Sequence, residues 1–235
     1  MSEDEIVRRA HSIPFTSSNS NLVLDELDRE LQRRGHRFVR YADDCNVYVR
    51  SEKAGRRVME SLTRFIERRL KLQINAEKSA VARPWHRSFL GFTVRNEPEF
   101  RRCIADKAVV RFKHRVRELT GRHRGITLER MIRELVPYLR GWAGYFGFSQ
   151  WHELQSLDGW IRRRLRCVVW VQWKTRGRRY QELRRLGVLG PAASEVVFSP
   201  KGPWRLSFTN AMHRAFTNAR FKRLGLPPME KLVDA

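Results

Sequence analysis

The sequence predicts an α+β fold in two regions: short strands and helices first, then a basic helical half. Three observations carry this. "HRFVRYA" and "NVYVRS" alternate β-branched and aromatic residues with polar ones, as half-buried strands do. "SEKAGRRVMESLTRFIERRLKL" repeats its apolar residues at helical spacing. From Asp106 onward the periodicity is mostly helical.

The elements follow in order. Met1 to Ser20 shows no clear period, starts acidic and ends in "TSSNS"; poor order is expected there. Leu24, Leu27 and Leu31 lie on one helical face, and Gly35 stops that helix. The two strands come next. Ser51 is placed to cap the long amphipathic helix, whose stripe is Ala54, Val58, Leu62, Phe65 and Ile66. "QINAEKSAVA" and "SFLGFTVR" read as short strands. "NEPEFRRC" reads as the joint between a region at 21–98 and a second at 104–235. Thr127 is a candidate N-cap for "LERMIRELVPYLRGWAGYF". Helices are expected at Leu157–Trp173 and Tyr180–Leu186, with short elements at best in the Pro- and Gly-rich tail.

Charge narrows the function. Lys and Arg number 48 against 25 Asp and Glu, a net charge of +23 in 235 residues. Nucleic acid is the leading partner for such a chain, since each neutralised phosphate releases a counterion. No apolar run approaches the roughly 18 residues of a spanning helix, and the N-terminus lacks the apolar core of a signal peptide. No membrane partner and a cytoplasmic location are therefore expected. Cys45, Cys103 and Cys167 are far apart and form no C-x-x-C pair, so neither a disulfide framework nor a zinc site is suggested.

The paired carboxylates Asp43 and Asp44 sit between the two strands, at the tip of a hairpin. Asp is common in turns because its side chain caps local N–H groups. Two carboxylates projecting to one point can also hold Mg²⁺ against phosphate oxygens. Metals about 4 Å apart would activate an attacking oxygen and stabilise a leaving one. Arg37, Arg40 and Arg50 flank the turn and would attract a phosphate backbone.

"YADD" in a hairpin resembles the catalytic motif of reverse transcriptases. "SNLVLDELDRELQRRGHRFVRYADDCNVYVRS", "LQINAEKSAV" and "FLGFTVR" resemble palm segments of one family, the group II intron-encoded reverse transcriptase/maturases. "RGITLERMIRELVPYLRGWAGYF", "LDGWIRRRLRCVVWVQWKTRGRRYQELRRLG", "KGPWRLS" and "RLGLP" resemble its maturase-specific domain. The match runs in order from about Ser20 to Pro227. The resemblance implies the last part of a palm, a thumb and a helical maturase domain. It implies RNA-directed DNA polymerase activity in intact relatives, with Asp43 and Asp44 as catalytic Mg²⁺ ligands. Tyr41, Ala42 and Lys78 would lie by the incoming nucleotide, and Phe89, Leu90 and Gly91 in the segment that grips the primer. The partner it implies is group II intron RNA, and primer or template nucleic acid where polymerisation occurs.

The family's earlier palm carboxylate has no counterpart here. Asp25 and Asp28 match no such motif, and Met1 to Ser18 matches nothing in the family. A chain truncated relative to its relatives is expected to be inactive, or nearly so, as a polymerase by itself. The central palm strand is also expected to expose an edge.

The helical half supplies candidate RNA contacts. On a wheel of roughly 100° per residue, Leu157, Ile161, Leu165 and Val168 share one face. Arg162, Arg163 and Arg166 lie on the other, with Trp170 and Trp173 among them. The basic run continues through Lys174, Arg176, Arg178 and Arg179. Guanidinium groups meet phosphates, and flat rings stack on unpaired bases. Arg122, Arg124, Lys201 and Arg205 complete the candidate set. Packing of both tryptophans on another helix is the alternative for those two residues. The expected function is that of a reverse transcriptase/maturase family member. The rivals are an RNA-binding module that only stabilises folded intron RNA, and a decayed remnant.

Overall fold

A computed structural model describes residues 6–10, 20–75, 78–96, 100–147 and 151–232. They form two compact units, Met1–Ala105 and Asp106–Ala235.

The first unit carries two antiparallel sheets. One has four strands in the order β2-β3-β1-β4, with β1 at Ile6–Ala10, β2 at Arg37–Tyr41, β3 at Asp44–Val49 and β4 at Ala80–Ala82. Helix α1 (Ser20–Arg33) buries Leu24, Leu27 and Leu31. It ends where Gly35 adopts φ 70° and the His36 N–H returns to the Leu31 carbonyl. Helix α2 (Glu52–Arg68) starts under the Ser51 hydroxyl, which accepts from the Ala54 N–H at 3.2 Å. Leu62 and Ile66 of α2 meet the α1 leucines and Cys45 and Val47 of β3 in one core. The second sheet is β5-β6-β7, at Ser88–Phe89, Phe92–Arg95 and Arg101–Ile104.

Three expectations change here. β1 is a strand where no element was foreseen, and it pairs with β3 from Ile6↔Val49 to Ala10↔Cys45 and with β4 beyond. The run IVRRA does not alternate apolar with polar residues, so its strand state comes from pairing. Residues 1–5 and 11–19 lie outside the described residues. With β2 on one side and β1 on the other, β3 has no open edge. Arg101 to Ile104, read as part of a joint, instead pairs with β6, so the unit boundary falls after Ala105.

The second unit is helical. α3 (Asp106–Leu119), α4 (Leu128–Phe146), α5 (Trp151–Gln172), α6 (Arg176–Arg185) and α7 (Gly190–Phe198) precede α8 (Pro203–Leu206), α9 (Asn210–Ala215) and α10 (Asn218–Arg223). A 3-10 turn follows at Met229–Leu232. Thr127 caps α4 by accepting from the Arg130 N–H. Phe112, Val116, Met131, Leu135, Leu139, Ile161 and Leu165 are sealed from solvent, and Trp142 packs on Phe112 with ring centroids 4.3 Å apart. The tail holds short elements, as expected, and each docks an apolar residue such as Leu206, Met212 or Phe221.

Candidate functional site

The Ala42-Asp43 turn is the shortest possible link between β2 and β3, closed by the pair Tyr41↔Asp44. Ala42 sits at φ 52°, a left-handed conformation that costs an L-residue about 1–2 kcal/mol. An ion pair holds it. Arg40 Nε and Nη2 donate to the two Asp28 carboxylate oxygens at 2.8 and 2.6 Å, while Nη1 donates to the Ala42 carbonyl at 2.8 Å. Helix α1 thereby fixes the turn through one guanidinium. The same contact raises the Arg40 pKa further.

Tyr41, Ala42 and Asp43 are exposed and Asp44 is half-buried. Strand alternation puts Asp44 on the face opposite Cys45 and Val47, whose side chains enter the core. Burial pushes the Cys45 thiol up to about 12, which rules out thiolate chemistry near neutral pH. The donor chemistry of Asp43 and Asp44 suits a hard divalent cation. Among the described residues, no group of three His, Cys, Asp or Glu converges to hold a metal. Asp28 is committed to Arg40, and Asp25 pairs with Arg29 at 2.9 Å.

The second hairpin joins β5 and β6 through Leu90 and Gly91, both left-handed at φ 51° and 80°. Two positive angles in a two-residue loop match the twist of the flanking strands. Glycine takes this freely and leucine does not. The Ala105 N–H donates to the Gly91 carbonyl at 2.8 Å, tying the turn to the end of β7. Phe89 pairs across the strands with Phe92. Lys78 is exposed, and its N–H donates to Asn75.

In the helical unit the structure corrects the arginine face of α5. Arg162 is 2 % exposed and Arg166 4 %. The Arg162 guanidinium donates to Asp158 at 2.7 Å and lies over the Phe221 ring. Arg166 lies over the same ring and contacts His213 Nε2 at 3.1 Å. Burial, with Arg162 and Arg163 beside it, lowers the Arg166 pKa to about 10. Arg163 stacks on Trp204 at 4.2 Å and on Phe208 at 4.8 Å. A helical wheel has no view of α8 and the C-terminal turn, which cover this face. Trp170 is buried, and Trp173 packs against Phe216. Arg179 stacks on Trp170 and donates to its carbonyl. Trp142 and Phe146 are buried, and Tyr145 is half exposed.

The other candidate contacts stay on the surface. Arg122, Arg124, Lys174, Arg176, Arg178, Lys201 and Arg205 are exposed. Arg124 is drawn to Glu134 and Arg178 to Glu182. Arg176 lies 5.7 Å over Phe198, an aromatic ring that is 66 % exposed. Sequence reading missed this pair, because Phe198 ends an apolar helix and reads as core. It also missed Arg164, which donates to the Arg117 and Thr120 carbonyls and closes the end of α3.

Comparison with known proteins bears on both units. The family model described as reverse transcriptase (RNA-dependent DNA polymerase) matches residues 14–94. It starts a little earlier than the Ser20 expected from motifs. The model described as group II intron, maturase-specific domain matches residues 109–187, from α3 to the end of α6. No curated protein matches. Among the described residues, no helix is long and apolar enough to cross a membrane.

Proposed function

The chain belongs to the group II intron reverse transcriptase/maturase family, and from that premise we propose that it acts as an RNA-binding maturase holding intron RNA in its splicing-competent fold. The maturase-specific match across α3–α6 carries this reading. The RNA performs the splicing chemistry. The protein shifts the RNA's conformational balance by binding one fold more tightly. The exposed cations Arg122, Lys174, Arg176, Arg178, Lys201 and Arg205 are the proposed phosphate contacts, with Arg124 beside them. Arg162, Arg163 and Arg166 position the surface from within. Binding of the full chain to a group II intron RNA is compared with binding to a scrambled RNA of equal length across a salt series. Selective affinity that survives moderate salt is the expected result. Equal affinity for both RNAs, lost together as salt rises, would leave only charge and overturn the proposal.

A second reading rests on the hairpin. Reverse transcriptases generally depend on a divalent metal, and Asp43 and Asp44 are the carboxylates that would hold Mg²⁺ here. The metal would neutralise phosphate charge as a primer 3′-oxygen attacks. Tyr41 and Ala42 would shape the nucleotide side, with Lys78 near its phosphates and Phe89, Leu90 and Gly91 on the primer. Phosphoryl transfer is mainly positioning and charge stabilisation, and two carboxylates supply part of a metal cluster. The expected outcome is no primer extension on an RNA template by this chain. Extension that disappears in Asp43→Asn would establish the polymerase reading instead.

A further inference from the structure

Helices α6 and α7 lie side by side in opposite directions, and their shared edge sets exposed rings among exposed cations. Phe198, the last residue of α7, is 66 % exposed, and the Arg176 guanidinium at the start of α6 lies over its ring. Arg176, Tyr180 and Arg184 recur every four residues along α6, one stripe with steps of about 6 Å. All three are exposed. A side-chain carbon added to Gly190 would touch the Tyr180 hydroxyl at 3.5 Å, so that ring reaches the start of α7. Arg184 donates to the Val188 carbonyl at 2.9 Å, which holds its guanidinium at the same end.

One exposed phenylalanine is ordinary on a protein surface. Here the acids are sorted as well. Glu182, the one acid of α6, sits on the face opposite the stripe, is buried, and is held by Arg178 and Arg185. Glu195, the one acid of α7, precedes Phe198 by a turn and is exposed. Phosphate is therefore favoured along α6 and repelled along α7, while an uncharged base can lie toward Phe198.

We propose that this edge holds a single-stranded stretch of RNA, with phosphates along Arg176 and Arg184 and unpaired bases stacked on Phe198 and Tyr180. The proposal rests on the RNA-binding reading above and narrows it to one conformation of the partner. Duplex RNA keeps its bases stacked inside, so an exposed ring gains little from it, whereas every unpaired base offers a flat face. The contact supplies affinity for an open strand and tolerates any base. It also extends past the maturase-specific match, which ends at residue 187.

The probes are a single-stranded oligouridine and an RNA duplex of equal length, each titrated with the full chain across a salt series. Phe198→Ala should weaken oligouridine binding about tenfold, within the range for one base stacked on a ring. Phe198→Leu should lose as much, although it stays apolar, and Phe198→Trp should keep wild-type affinity. None of the three should change duplex binding. Arg176→Ala with Arg184→Ala should instead flatten the salt dependence on the single strand, by about 0.7 in logarithmic slope per phosphate released. A cooperative melt confirms that each variant is folded, which its exposed position favours. Oligouridine affinity unchanged in Phe198→Ala, or lost equally for the duplex, would overturn the stacking site. So would a wild-type chain that self-associates by light scattering and separates in Phe198→Leu, since the edge would then join two copies. These outcomes are independent of selectivity for intron RNA over a scrambled RNA, so the site can fail while the maturase reading stands.

Discussion

Arg40 does three things with one guanidinium: it pairs with Asp28, supports the Ala42 carbonyl and so holds a left-handed alanine beside Asp43. Its side chain is 15 % exposed and that of Asp28 22 %, so solvent screens the pair only in part. Arg40→Ala should cost about 2 kcal/mol, in the range for hydrogen bonds to charged groups, read as a lower urea midpoint at constant slope. Arg40→Lys should recover little, because an ammonium cannot bridge both carboxylate oxygens and the carbonyl. His213 gives a pH test. Loss of solvent around its ring, together with the Arg166 guanidinium, lowers its pKa. The folded state then resists a proton that the unfolded chain accepts. Stability is therefore retained above the ordinary histidine value and falls as pH drops below about 6.5. Melting temperatures from pH 8 to 5 should show that decline, and His213→Gln should reduce it, the remainder coming from His36, whose pKa is also lowered by burial and by Arg34. An unchanged slope would clear His213 of the effect. Of these groups, the sequence displayed the aspartates and the flanking arginines. The Asp28–Arg40 contact crosses from a helix to a strand, and no local pattern encodes it.

At the scale of elements, α5 is the informative case. Its apolar face was legible, because Leu157, Ile161, Leu165 and Val168 recur at helical spacing and all are buried. Its arginine face read as surface and is interior. Two buried guanidiniums on Phe221 are tolerated for different reasons. Arg162 has a carboxylate partner, although burial keeps the Asp158 pKa raised against the pull of Arg162. Arg166 contacts His213 and lies over the Phe221 ring. Asp158→Ala should thus destabilise by about 3–5 kcal/mol, since it strands a buried charge. Arg166→Met should be neutral or mildly stabilising, since it replaces a charge with an apolar chain of similar length. Chemical denaturation of both variants checks the contrast, and equal losses would contradict it.

For the whole molecule, the net charge of +23 guarantees some affinity for any polyanion. Charge alone therefore proves little, and the salt series against a scrambled RNA is the measurement that separates fold recognition from attraction. By itself the sequence determined the α+β class, the helix of three leucines, the hairpin bearing Asp43 and Asp44, the caps at Ser51 and Thr127, and the family. Those are encoded within a few residues or in ordered motifs, where spacing and side-chain chemistry act locally. Only the tertiary structure decided that Ile6–Ala10 is a strand, that Arg101–Ile104 joins the second sheet, and that Arg162 and Arg166 lie inside. Each depends on which distant segment covers a given edge or face. Pairing and burial between residues far apart in the chain leave no period for a sequence to display.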